Sequence, residues 1–267
     1  MKPFFELSDL KVEADRLKAR ELYKEKGIWI DFSENTSQLK TPQGLFELFV
    51  TVFLDRGEKA EKIAIAAKEM KDSGLLTMSK IKDYESDIRS VLESHKIAWR
   101  FETVVEPKQI CSLLIATSNE IGERYEWNFH ALKNHVVTEV RKLQIPERFA
   151  SFVSLRWLAL EIGSLSRVGQ KLSSFFLQST LSYEAWPEFV LDDMVYLSIP
   201  FDRHIESYFT NLVSSRAGKW HPRQIEWYGT HLAGLMCLTS GICQDELDLR
   251  IWDSQRSLST GSRFKGK

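Results

Sequence analysis

Ile162-Gly163-Ser164-Leu165-Ser166-Arg167-Val168-Gly169-Gln170-Lys171-Leu172-Ser173-Ser174-Phe175-Phe176 is a helix end, a polar corner and a helix start in immediate succession. The apolar spacing that runs from Phe149 stops at Ile162 and resumes at Val168. Gly163 and Gly169 permit tight backbone turns on either side of the corner. The first amides of the second helix point outward, a geometry suited to an anion such as phosphate. Lys171 lies just inside that helix, with Phe175 one turn on. Taken alone, the segment equally describes an ordinary helix–turn–helix corner carrying an exposed lysine.

Helical spacing continues in both directions from this corner. Upstream runs include Leu45 to Leu54, Ile63 to Met70, Ile81 to Leu92, Ile110 to Ile121 and Phe129 to Val140; downstream runs include Ile205 to Val213 and Ile225 to Leu238. Strand-like alternation is confined to the short Trp29-Ile30-Asp31-Phe32. Pro42, Pro146, Pro187, Pro200 and Pro222 mark joints. The spacing predicts an all-α chain of about ten helices with short connections. The exception is Tyr183 to Ile199, a longer connection containing Trp186-Pro187 and Asp192-Asp193. Residues 257–267 are polar and basic and read as a flexible tail.

Composition narrows the function classes. With 36 Lys+Arg against 37 Asp+Glu, the 267-residue chain carries a formal net charge of -1, so it lacks the large basic surface of a protein that wraps nucleic acid. A small local DNA site is compatible with that balance. At 43% hydrophobic and 12% aromatic, the chain can bury a core and fold alone. Three scattered cysteines, Cys111, Cys237 and Cys243, make neither a disulfide framework nor a four-thiolate iron–sulfur site. The N-terminal residues turn charged too early for a signal-peptide core, and no run approaches the roughly 18 apolar residues of a membrane span. The expectation is a cytoplasmic protein with no membrane partner. No phosphate-binding glycine loop, G-x-S-x-G elbow or H-E-x-x-H pair is present, and His130 and His135 lie on different helix faces, so neither cofactor nor metal is indicated.

The corner gains meaning from Ile199-Pro200-Phe201-Asp202-Arg203-His204-Ile205, which sets an aspartate directly before an amphipathic helix. Asp202 suits the N-cap of that helix. A Gly169-Gln170-Lys171 helix opening followed by an aspartate in this P-x-D-x-x-I setting resembles the helix-hairpin-helix DNA glycosylases. The long interval from Lys171 to Asp202, the absence of an L-P-G-V-G hairpin and of a four-cysteine cluster, and Leu247-Asp248-Leu249-Arg250-Ile251-Trp252 near the C-terminus most resemble the archaeal 8-oxoguanine DNA glycosylases (AGOG). The resemblance runs from about Glu161 to Trp252.

That resemblance implies a monomeric DNA glycosylase/AP lyase acting on double-stranded DNA that contains a modified base, associated with the nucleoid. Lys171 would be the nucleophile and Asp202 the catalytic carboxylate. Phe175 and Trp252 would sandwich the flipped base and Asp248 would bond to its edge. The hairpin residues Gly163, Ser164, Ser166, Arg167 and Gly169 would hold the DNA backbone. Two helical lobes are implied, residues 1–75 joining 201–267 and residues 76–200 carrying the hairpin, with the site in the cleft between them. The family also draws a glutamine and a tryptophan from its N-terminal part, whereas the matching stretch, Asp55 to Lys62, has no tryptophan. The excised base is therefore 8-oxoguanine by resemblance, with another modified base, such as a hypermodified phage pyrimidine removed in defence, as the alternative. A helical module that grips phosphate without catalysis is a third reading.

The residue types suit the chemistry. An extruded base recovers part of its unstacking cost on aromatic faces, at about 1–3 kcal/mol per contact. A lysine attacks the sugar C1′ only as the neutral amine, which burial beside Leu172, Phe175 and Phe176 would favour. A fixed carboxylate stabilises the cationic sugar formed as the base departs. Arg216 to Arg223 forms a second basic loop around Trp220, readable as a phosphate contact or as a solvated helix connection.

Overall fold

Prolines and polar caps start the helices of this chain. Pro42, Pro107 and Pro222 each occupy a first helical position, where the missing N–H has no intrahelical acceptor to lose. In chain order the helices are α1 (Leu7–Lys18), α2 (Pro42–Leu54), α3 (Ala60–Asp72), a 3-10 helix (Met78–Tyr84), α4 (Glu85–Ser94), α5 (Pro107–Tyr125), α6 (Phe129–Lys142), α7 (Glu147–Gly163), α8 (Gly169–Ser182), α9 (Arg203–Ala217) and α10 (Pro222–Ser240). Residues 246–252 are also helical. The structure is a computed structural model that describes residues 7–19, 37–55, 60–100, 104–189, 193, 199–201, 203–217, 222–242, 246–252 and 254–255. Among these the one strand pairing is Trp99–Arg100 against Val104–Val105. The fold is all-α, as the periodicity predicts. The strand-like Trp29 to Phe32 and the tail 257–267 lie outside the described residues.

The chain divides into two compact units, residues 25–189 and the paired terminal segments 1–24 and 190–267. This differs from the expected grouping, in which residues 1–75 join the C-terminal helices. The reason is α2. Its sequence PQGLFELFVTVFL is apolar around nearly the whole circumference, and every residue from Leu48 to Leu54 is buried. A helix of that kind has to be enclosed on all sides, and it packs against α3, α5, α6 and α8 within the larger unit.

Aromatic rings fill the space around α2. Phe49 lies 5.3 Å from Phe129 of α6 and 5.7 Å from Phe176 of α8, and those two rings are 4.9 Å apart. Phe53 meets Trp99 at 5.6 Å, and the Trp99 indole N–H donates to the Leu54 carbonyl at 3.2 Å, closing the C-terminal end of the helix. At its other end, the Thr41 hydroxyl accepts the Gly44 amide at 3.1 Å.

In the smaller unit α1 packs on α10, and α10 on α9, around Leu10, Leu17, Phe209, Met236, Leu247 and Ile251. The Arg250 guanidinium donates to the carbonyls of Leu17 and Lys18 at 3.1 and 3.0 Å, capping the end of α1. Tyr208 of α9 donates its hydroxyl to Glu13 of α1 at 2.6 Å. Among the described residues no helix is long and apolar enough to cross a membrane.

Phe176 is fully buried at the meeting of three helices. Phe176→Ala is expected to destabilise the larger unit by about 3–5 kcal/mol, measured as a lowered urea midpoint; a loss below about 1 kcal/mol would show that the ring cluster is not the anchor.

Candidate functional site

The corner between α7 and α8 closes on itself before it meets anything else. The Ser164 amide donates to the Leu160 carbonyl at 2.9 Å and the Ser164 hydroxyl to the Glu161 carbonyl at 2.7 Å, so Ser164 ends α7. The Leu165 amide reaches Ile162 O at 3.2 Å, and the Val168 amide reaches Leu165 O at 3.1 Å. The side chains of Leu165 and Val168 are buried and anchor the turn. Arg167 and Gly169 both take left-handed backbone, at φ 64 and 68. A glycine does so without strain; an arginine does so only when its surroundings hold it there.

Two side chains of α5 supply that hold. The Ser166 amide donates to Glu120 Oε2 at 2.8 Å, and the single proton of the Thr117 hydroxyl is shared between the Ser166 carbonyl at 2.8 Å and the Leu113 carbonyl of its own helix at 2.9 Å. Glu120 in turn accepts Arg124 Nη1 at 3.2 Å, and Arg124 Nη2 reaches Glu161 at 3.0 Å. The Tyr125 hydroxyl donates to the Glu161 carbonyl at 3.1 Å. Burial pushes the Glu120 carboxyl up, but the amide and hydroxyl of Ser166 together with Arg124 outweigh it and hold the group below the usual carboxylate range.

The resemblance assigns the hairpin residues Gly163, Ser164, Ser166, Arg167 and Gly169 to the DNA backbone. The amides of Ser164, Leu165, Ser166 and Val168 have acceptors within the protein. Gly169, Gln170 and Lys171 are the first three residues of α8, whose amides have no intrahelical acceptor. Val168, at the cap position, brings no side-chain acceptor to them.

Lys171 stands in the first turn of α8, partly exposed, and its amine has no ion-pair or hydrogen-bond partner among the described residues. Phe175, one turn on, is 8% exposed, so a base stacking on it has to displace what covers the ring. Comparison with protein-family models, with curated proteins and with solved structures returned no match.

Two more of the expected site residues belong to the smaller unit. Asp248 and Trp252 lie one turn apart on one face of the helical residues 246–252. The Trp252 ring meets His204, the second residue of α9, edge to face at 5.3 Å. Asp202 lies outside the described residues, as do residues 218–221 of the second basic loop. The structure therefore gathers Gly163, Ser164, Ser166, Arg167, Gly169, Lys171 and Phe175 at one corner of the larger unit, and Asp248 and Trp252 in the smaller one.

Sequence reasoning missed Thr117, Glu120 and Arg124. Their spacing puts them on one face of α5, but a charged helical face usually means solvent and carries no mark of a contact 46 residues away. It also missed a cavity of about 420 Å³ where α5, α6 and α7 meet, lined by Arg124, Tyr125, Leu132, His135, Trp157 and Glu161 among others.

A carboxyl held below its ordinary pKa stabilises the fold above the unfolded value of about 4.3, and that contribution disappears as pH falls through the folded value. Glu120→Gln is therefore expected to be less stable than wild type at pH 7, with the gap closing in acid. Urea midpoints at pH 7 and pH 3 check this; an equal gap at both would show that the charge on Glu120 plays no part.

Proposed function

We propose that this protein is a DNA glycosylase/AP lyase that extrudes a modified base from double-stranded DNA and removes it through Lys171. The observation that carries the reading is the α7–α8 corner. A left-handed Gly169 opens α8, and two residues later an amine without a partner among the described residues stands in the helix's first turn, at the Gly-x-Lys position of the glycosylase hairpin. The two-lobed glycosylase architecture belongs to the same proposal.

The chemistry assigned to each residue follows from what the reaction requires. The neutral Lys171 Nζ attacks C1′, and the C1′–N bond breaks with its electron pair leaving on the base, which takes up a proton. Asp202 balances the positive charge that develops on the sugar and accepts a proton from the attacking amine. Opening of the sugar gives the Schiff base. Loss of a C2′ proton then expels the 3′ phosphate and cuts the strand. Trp252 and Phe175 stack on the extruded base, Trp252 from a position already braced by His204, and Asp248 accepts a hydrogen bond from the base edge. The first turn of α8, through Gly169 and Lys171, together with Arg167, takes the backbone phosphates.

The base most consistent with the resemblance is 8-oxoguanine. A second reading, a hypermodified pyrimidine excised from phage DNA, is favoured by the lack of a tryptophan between Asp55 and Lys62, where the archaeal enzymes build part of their purine pocket.

Borohydride reduction tests the proposal directly. Wild type incubated with duplexes carrying a panel of modified bases or an abasic site is expected to form a covalent adduct, and Lys171→Ala to form none. An adduct with none of the duplexes, or one that persists in Lys171→Ala, would overturn it. The duplex trapped fastest identifies the class of base.

A further inference from the structure

Building on the proposed lysine chemistry, we infer that Thr117 and Glu120 are positioning residues for it: from α5 they clamp the Ser166 peptide on both sides and so fix the corner from which α8 and Lys171 set out.

The clamp acts on a single peptide unit. Ser166 offers its N–H to Glu120 at 2.8 Å, and its carbonyl lies 2.8 Å from the Thr117 hydroxyl, whose one proton it shares with the Leu113 carbonyl at 2.9 Å. A peptide bonded at only one end can rotate about that bond; one held at both ends by side chains of the same helix cannot. Water could satisfy both groups of Ser166, which is exposed, so hydrogen bonding alone does not demand two side chains from a helix far upstream. What demands them is the next residue. Arg167 sits at φ 64, a conformation that persists in a non-glycine residue only where the surroundings over-determine it. Gly169 then turns left-handed without strain, and α8 begins.

The clamp is braced in its turn. Arg124 ties Glu120 to Glu161 on the last turn of α7, and the peptide carbonyl of Glu161 accepts the hydroxyls of both Tyr125 and Ser164. The end of α5, the end of α7 and the corner thus form one closed circuit of hydrogen bonds. None of these groups belongs to α8. The circuit delivers the start of α8 in a fixed direction and makes no bond to the Lys171 amine. Displacement of a reacting group by about 1 Å can cost on the order of a hundredfold in rate, so a corner that drifts reduces the attack at C1′ without unfolding the protein.

The roles of the two side chains separate in a variant series on the full-length protein. Glu120→Ala removes the acceptor for the Ser166 amide and is expected to slow borohydride-trapped adduct formation at saturating abasic duplex by on the order of tenfold or more. Its duplex affinity, read by anisotropy, is expected to stay within about threefold of wild type. Glu120→Gln keeps an oxygen in the same place and is expected to recover most of that rate. Thr117→Val is expected to slow trapping by itself, and its effect should not add to that of Glu120→Ala, because either change frees the same peptide. Hydrogen exchange reads the clamp with no DNA present: the Ser166 amide is expected to be protected in wild type and Glu120→Gln, and to exchange at least about tenfold faster in Glu120→Ala. Wild-type trapping rates in both Glu120→Ala and Thr117→Val, or a Glu120→Gln variant no faster than Glu120→Ala, would overturn the positioning role. A wild type that traps no duplex would overturn the glycosylase reading instead, with the exchange ratio still deciding whether the clamp exists. Should Glu120→Ala fail to fold, Thr117→Val against Glu120→Gln carries the same comparison.

Discussion

The ring of Phe176, set between Phe49 and Phe129, fixes α8 to two other helices at its middle. Once that ring is placed, every other side chain of α8 inherits a direction. Lys171 lies five residues earlier, which at about 100° per residue puts it about 140° around the helix from Phe176. Its partial exposure is therefore the geometric counterpart of the phenylalanine's burial, and Leu172, on the other side of the same turn, is buried. The helix cannot slide or rotate as a whole without moving the anchored ring, while its first turn, five residues from that ring, takes its remaining hold from the corner. The clamp on Ser166 and the anchor at Phe176 thus hold the same helix from opposite directions.

The local parts of this arrangement were legible in the sequence. Apolar periodicity and the prolines gave the helices, because both act within a turn or two of where they are written. The corner was legible for the same reason, with Gly163 ending α7 and Gly169 opening α8. The partner of the corner was not. Glu120 and Thr117 read as ordinary residues of an amphipathic helix, and only the tertiary fold reveals that they face Ser166. The grouping of α2 was half legible: thirteen residues with a single charge announce a helix that must be enclosed, but not which helices enclose it. The burial of Phe175 was hidden likewise, since helical spacing places it next to Lys171 but does not say what lies over the ring.

Charge gives the corner a polarity that overall composition conceals. A chain of net charge -1 has no broad attraction for DNA, and the carboxylate of Glu120 already occupies the Ser166 amide. Under the proposed reading, a phosphate approaching the corner meets a negative group on the Ser166 side and the first turn of α8 with Lys171 on the other. Like charge repels at this range and the start of a helix attracts, so such a corner favours one direction of approach over the other. Arg124, shared between Glu120 and Glu161, keeps the repulsive side from being more negative than it needs to be.

The guanidinium of Arg250 resting on the last carbonyls of α1 joins parts of the chain 233 residues apart. During synthesis α1 emerges well before α10, the helix it packs against, whereas residues 25–189 form one continuous stretch. The order of assembly is thus written into the topology. The unit bearing Lys171 can be complete while the unit bearing Asp248 and Trp252 still waits for its second half. A chain cut short before Arg250 leaves α1 uncapped, with its apolar face, Leu10, Ala14 and Leu17, lacking part of its cover.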